Sequence, residues 1–485
     1  MKLSQAFTTA IAGTALVVLG ACSSEDLGTS ANTSASPAAS NNVLSSESLV
    51  QAMGSETPLG LGCGWIAASD PDKANIAFPD SEAKYWVAAA PVSPQTRLRI
   101  DGRYPDARYF SYNAYDAALR PTDAVADFEL APNDKGRAGN PFARKGAKPG
   151  GSYTAYLEYG ASPIQNPGTV RKPNTFYTGE IGLGPVNIPN ALAVFIYRVY
   201  VSNTGEFFDG GVGLPTLTLE TADGSRELGT LPNCAEPLMP NLGGTAPPLG
   251  LNELLLGLDY PNQLTLPFPT ATNPPNTLKF FSLGDTAFRI LGNVTGQDTS
   301  MVGGRIDSGS GGFLSNVHNA YTSTGFARQY GNIAMVRAKA PTYRGQPGVE
   351  FGQEQLRYWS LCGNEFATQR FTDCAADFQV PLDEQGFFTV VISDPADRPA
   401  NATAENGFLW LPWGPYPDQL LLYRHMLHNS AFDEAIQNVE KGNALGETMK
   451  DFAPVGIYCD SNVFTQSNRS GEVFALCEQD QNTNR

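Results

Sequence analysis

Histidine is almost missing from this sequence. Its 485 residues contain three, His318, His425 and His428. A metal site built from several imidazoles is therefore excluded, and any Ser-His nucleophile pair must use one of these three. Charge is also scarce, at 16% Asp, Glu, Lys and Arg against about 25% in an average soluble domain. What charge there is leans acidic, with 32 Lys and Arg, 48 Asp and Glu, and a formal net charge of −16. Phosphate backbones need a basic surface, so nucleic acid is not an expected partner. After residue 21 no apolar run approaches the ~20 residues of a membrane-spanning helix. Cys-x-x-Cys, the Gly-x-Ser-x-Gly elbow and the phosphate-loop spacings do not occur. Nothing points to a cofactor or a metal. Asp- and Gly-rich pieces such as 307–312 and 394–397 read as turns rather than calcium loops.

What is present starts at the first residue. Met1-Lys2-Leu3 is a short positive start, an apolar run follows from about Ala10 to Val18, and then comes Leu19-Gly20-Ala21-Cys22. These four residues resemble the lipobox of bacterial lipoproteins. The resemblance implies cleavage before Cys22, acylation of that cysteine (palmitate among the chains), and attachment to a membrane by lipid. Ser23 at the next position, where Asp would signal retention, resembles outer-membrane sorting. Several acyl chains on one residue anchor stably, at about 0.8 kcal/mol per buried methylene. Residues 22–56 are mostly small and polar and contain no aromatic residue, which suits a flexible tether.

Without Cys22, six cysteines remain: Cys63, Cys234, Cys362, Cys374, Cys459 and Cys477. An even number in an exported chain predicts three disulfides. Gly (49) and Pro (36) are abundant, and the hydrophobic share is 41%, so cores are affordable in a chain of short strands and turns.

The chain also repeats itself. Residues 83–91 (AKYWVAAAP) resemble 333–341 (IAMVRAKAP) at an offset of 250. Residues 108–112 (RYFSY) match 357–361 (RYWSL), and 125–130 (VADFEL) match 375–380 (AADFQV). Residues 153–159 (YTAYLEY) correspond to 388–394 (FTVVISD), and Tyr197-Arg198 to Tyr423-Arg424. Alternation at 153–159 predicts a half-buried strand, and the continuous apolar run 191–201 predicts a strand covered on both faces. The expected fold is mainly all-β: two tandem, duplicated β-sandwich or jelly-roll-like domains, with a short helix in the second. The expected boundaries are a signal peptide at 1–21, the tether at 22–56, copy one at 57–235, a Pro-rich linker at 236–280, copy two at 281–460, and a polar tail at 461–485. Short helices are expected at 251–258 in the linker and at 430–441, where Ser430 would cap and Phe432, Ala435, Ile436 and Val439 would share one face.

The repeat guides the disulfides. Copy one has Asn113 and Ala124 where copy two has Cys362 and Cys374, so those two should pair; Cys63 with Cys234 and Cys459 with Cys477 follow by exclusion. Asp127 and Asp377 recur in both copies, as do Arg108/Arg357 and Arg198/Arg424, which suggests buried ion pairs holding each sandwich together. Features unique to one copy are better candidates for a site. Copy two alone carries Trp410 and Trp413 in 408–415 (FLWLPWGP), where the repeat sets residues 179–185. With His425 they are candidate ligand-binding residues on an aromatic surface. On a strand, His425 shares a face with Tyr423 while His428 lies opposite, which argues against a two-histidine metal clamp. Copy one alone has the basic stretch 136–150, with Arg137, Arg144, Lys145 and Lys148, a candidate contact for anionic lipid or polysaccharide.

Residues 108–116 (RYFSYNAYD), 210–215 (GGVGLP), 336–341 (VRAKAP) and 421–427 (LLYRHML) are together similar to a broad group of exported bacterial proteins with no assigned biochemistry. The resemblance brings no catalytic residues. The expectation is an envelope-anchored binding or scaffold lipoprotein, rather than an enzyme, whose partner is an apolar or glycan ligand or another envelope protein. The competing expectation is an exported hydrolase with its site between the domains, built on one of the three histidines.

Overall fold

The computed structural model describes residues 63–71, 75, 78–116, 120–134, 139–183, 186–203, 209–233, 271–280, 314–365, 370–440 and 443–483. The expected signal peptide, Cys22, the expected tether, Cys234, most of the expected linker with the helix expected at 251–258, Arg137 and residues 307–312 lie outside them. In the first half run β1 (Ala67–Ser69), β2 (Ala83–Pro91), β3 (Thr96–Arg103), β4 (Ala107–Tyr115), β5 (Pro121–Ala126), β6 (Ser152–Glu158), β7 (Thr175–Tyr177), β8 (Glu180–Leu183), β9 (Val186–Pro189), β10 (Leu192–Ser202), β11 (Thr216–Thr221) and β12 (Glu227–Leu231). In the second run β13 (Thr277–Phe280), β14 (Asn319–Ala327), β15 (Ile333–Lys339), β16 (Leu356–Asn364), β17 (Phe371–Ala376), β18 (Phe387–Ser393), β19 (Leu409–Pro412), β20 (Asp418–His428) and β21 (Val455–Tyr458).

The fold is mainly β, and the two halves share one strand order, except that β12 has no counterpart among the described residues. The inner sheets read β1-β2-β10-β4-β5 and β13-β14-β20-β16-β17; the outer sheets read β12-β11-β3-β6-β7 and β21-β15-β18-β19. Both outer sheets carry the same parallel step, β7 on β6 and β19 on β18. One block of the repeat is out of step with this order. Residues 83–91 form β2, which pairs with β10, whereas 333–341 hold β15, an outer strand pairing with β18 and β21. The true counterpart of β2 is β14, which pairs with β20 in the same way, and β15 corresponds to β3. Both are apolar strands entering a core, so composition alone confuses them.

Burial follows the layers. In β3, Leu98 and Ile100 point inward while Arg97, Arg99 and Asp101 face water, as an outer strand should. β16 is buried along its whole length because it is covered on both faces: its own outer sheet lies on one side and the other half on the other. Each half has its own core. Phe110, Tyr112, Tyr153, Phe176 and Tyr197 centre the first; Trp359, Phe388, Trp413 and Tyr423 centre the second. Each such ring, taken out of water, contributes roughly 1.5–3 kcal/mol.

Two helix expectations are corrected. Residues 430–440 form turns and one 3-10 turn, Ile436–Asn438, not a helix. The expected apolar face is nonetheless buried. The backbone N–H of Ile436 donates to Nδ1 of His425 at 3.2 Å, and Gln437 Nε2 donates to the His425 carbonyl at 2.9 Å. These bonds tie the segment to β20 and replace the helical ladder. Among the described residues the α-helices of the second half are instead α1 (Leu445–Met449), α2 (Ser461–Phe464) and α3 (Ser470–Thr483). The last two lie where a polar tail was expected. Val473, Phe474 and Cys477 of α3 pack with Met335, Val391 and Phe464, and Cys459–Cys477 fastens the helix to the end of β21. Cys362–Cys374 joins directly opposed residues of β16 and β17. Cys63 is disulfide-bonded as well.

Candidate functional site

A group of buried polar and charged side chains lies in the seam between the two inner sheets. Ala83, Tyr109, Ala126, Tyr200 and Val201 from the first half pack there against Tyr358, Ala376 and Met426 from the second. Backbone geometry sets up the contact. Val201 and Leu427 occupy matching places near the ends of β10 and β20, with φ of 50° and 46°. Their N–H groups bond the carbonyls of Glu82 (2.9 Å) and His318 (3.1 Å) just before β2 and β14. This kink breaks the alternation, so Tyr200 and Val201 both face the seam.

The recurring ions meet across this seam, not within each sandwich. Arg108 Nη1 donates to Asp377 at 2.5 Å, and Arg357 Nη1 donates to both oxygens of Asp127 at 3.1 Å. Each aspartate begins a 3-10 turn after its strand and also accepts a backbone N–H of its own half, from Phe110 to Asp127 and from Trp359 to Asp377. Burial pushes both carboxyls up, Asp377 to about 6, and the facing arginine only partly reverses it.

Arg424 and Arg198 are the second matched set, and here the halves differ. Arg424 binds Asp80 of the first half, which also accepts from Tyr358 Oη (2.9 Å) and Ser360 Oγ (2.8 Å). The place of Asp80 in the second half is taken by Asn316, which accepts the N–H of His318 as Asp80 accepts that of Glu82. Arg198 therefore meets no carboxylate among the described residues. Its Nη2 donates to Tyr115 Oη at 2.5 Å and to the Leu314 carbonyl, and its guanidinium lies 4.6 Å from the Tyr85 ring centre. No sequence motif marks Asp80 and Asn316. The signal is the offset of 236 between 78–85 (FPDSEAKY) and 314–321 (LSNVHNAY), faint because few residues besides Tyr85/Tyr321 agree.

The three histidines all fall among the described residues. His318 sits in the seam, its Nδ1 2.8 Å from Tyr109 Oη. Burial, and then the nearby Arg171, Arg357 and Arg198, push its pKa down to about 4. His425 is fully buried in the second core, edge-on to Tyr423 at 4.6 Å, and burial followed by His428 holds it neutral. His428 is half-buried near the end of β20, and burial lowers its pKa too.

The tryptophans do not form an open platform. Trp413 is 1% exposed within the second core, with Arg328 5.1 Å from its ring. Trp410 is half-buried, donates to Ser393 Oγ at 3.0 Å, and carries Arg398 over its ring at 4.5 Å. β19, which holds Trp410 and ends just before Trp413, takes the position of Thr175–Tyr177 rather than of 179–185, and serves the same packing role beside β18. His425 is apart from both, behind Tyr423 and Phe432. The basic stretch of copy one lies partly against copy two: Arg344 donates to the Phe142 carbonyl at 3.0 Å, and Lys145 is 3.7 Å from Glu350.

Among the described residues no group of three or more His, Cys, Asp or Glu is placed to hold a metal ion, and no helix is long and apolar enough to cross a membrane. No protein-family model matches this chain, and no curated protein matches it. Among solved structures it is similar to an uncharacterized protein from Burkholderia cenocepacia, at 14% identity over 79% of this chain and 83% of that one, with a TM-score of 0.39. It is also similar to a protein from Vibrio parahaemolyticus, at 12% identity over 79% and 90%, with a TM-score of 0.35. Neither likeness carries a functional argument.

Proposed function

We propose that this protein is an envelope-anchored lipoprotein, lipidated at Cys22 and sorted to the outer membrane, whose paired β-sandwich halves act as a binding or scaffold module. An apolar or glycan ligand, or another envelope protein, would be its partner. The observation that carries the non-enzymatic reading is the fate of histidine. His425 is spent on holding a turn, His318 on bonding Tyr109, and both are held neutral by burial. The acids Asp80, Asp127 and Asp377 are each engaged by an arginine of the opposite half. A hydrolase built on His318, His425 or these acids would have to break one of these bonds to move a proton, which leaves His428, half-buried near the end of β20, as the histidine to test. The lipobox residues 19–22 and the polar tether support the anchored part. Expression of the full chain with labelled palmitate in a Gram-negative host tests it. The proposal expects label in the membrane-bound protein and, in Cys22→Ser, loss of the label together with retention of the uncleaved segment 1–21. An unlabelled wild type, or a Cys22→Ser protein that is still labelled, would refute the anchor.

A further inference from the structure

The seam is related to itself by an approximate two-fold. Arg108 reaches from half one to Asp377, and Arg357 reaches from half two to Asp127. Tyr109 reaches Asn316, and Tyr358 reaches Asp80. Arg198 bonds the Leu314 carbonyl, and Arg424 the Phe78 carbonyl, at two residues that share a left-handed φ of 49° and 53°. Such a set, in which residue i meets j and j meets i, is the mark of an isologous dimer interface. Here both patches lie on one chain.

From this geometry we infer that the protein is a fused dimer: the inner face of each half is a docking surface whose partner is the other half, and the linker is not needed to hold them together. The chemistry is specific to that partner. Asp127 and Asp80 are 0% exposed, and the arginines they face all come from the second half. Asp377 is 3% exposed and faces an arginine of the first. A half on its own would leave each carboxylate without its opposite charge in a largely apolar surface of tyrosine, alanine and methionine. Polar bonds extend the contact beyond the centre. Asn75 and Phe371 exchange two hydrogen bonds at 2.8 and 2.9 Å, and Tyr115 Oη donates to the Ser315 carbonyl at 2.9 Å. No disulfide opposes a cut in the linker. Both described bridges lie within the second half, and the remaining cysteines, Cys22, Cys63 and Cys234, all precede residue 240.

The test inserts a specific protease site between Gly243 and Gly244 of the full chain and cuts the folded protein. The inference expects the fragments to elute together at micromolar concentration, with one thermal transition. It also expects Arg108→Ala with Arg357→Ala, in the cut protein, to weaken their association at least a hundredfold. Separate elution of the cut wild-type halves would overturn it, and so would an association unchanged by the double variant. Because the readout is association of halves, it is independent of whether the chain is lipidated or binds a ligand.

Discussion

Arg357 neutralises Asp127, 230 positions earlier in the chain, and leaves the Asp377 of its own half to Arg108. The exchange makes the seam a place where each half completes the other. Removing one partner strands a buried charge, which costs about 3–5 kcal/mol. Arg357→Ala should therefore lower stability by that amount in urea unfolding. Asp127→Ala should cost a similar amount, and the double variant should cost much less than the sum. Additive losses would mean that the two side chains do not interact.

The unequal second pair gives a comparison inside one molecule. Asp80 serves Arg424, Tyr358 and Ser360, whereas Asn316, in the matching place, takes only neutral bonds. Asp80→Ala should cost about 3 kcal/mol or more, and Asn316→Ala about 1–2 kcal/mol. Equal losses would contradict the assignment of Asp80 as the counter-charge of Arg424.

His318 should give stability a pH dependence of known sign. Its folded pKa is about 4, below the usual 6.5. Its contribution is thus fully present above about pH 6.5 and is lost as pH falls toward 4, because the unfolded chain takes up the proton first. The loss is on the order of 2 kcal/mol, at about 1.4 kcal/mol per pKa unit reduced for partial exposure. Asp377, pushed up to about 6, acts the other way, its contribution being lost as pH rises through 6. The difference between wild type and His318→Gln isolates the histidine. That difference should shrink as pH drops from 6.5 to 4; a constant difference would rule the effect out.

Cys459–Cys477 closes a segment 18 residues long over the edge of the second outer sheet. Replacing both cysteines with serine should cost about 3 kcal/mol. Amide exchange should rise in α3 and stay unchanged in β2, β4 and β10 of the first half. Unchanged exchange in α3 would show that packing of Val473 and Phe474 alone holds the helix.

Much of this architecture is legible in the sequence, because paired blocks such as RYFSY/RYWSL and VADFEL/AADFQV carry both strand periodicity and a rare residue to anchor them. The run through Phe195–Tyr200 correctly implied a strand covered on both faces. What covers its second face was not legible. Alternation tells which side of a strand is apolar, not which sheet lies there. For the same reason the recurring Asp and Arg residues suggest pairs inside one sandwich, whereas they pair across the seam. The 430–441 segment misled differently. Its apolar spacing is helical, but His425, from a strand 11 residues earlier, captured the Ile436 donor. Trp410 and Trp413 looked like a surface because they stand beside Pro412, Gly414 and Pro415, which usually mark loops; here they flank an edge strand whose rings turn inward.

The most direct test of a module without catalytic chemistry is the activity of the purified protein on a broad panel of ester, peptide and glycan substrates, beside His318→Ala, His425→Ala and His428→Ala. No substrate should be turned over above the background shared by all four proteins. Hydrolysis by the wild type that disappears with a single histidine, in a variant that still folds, would contradict it.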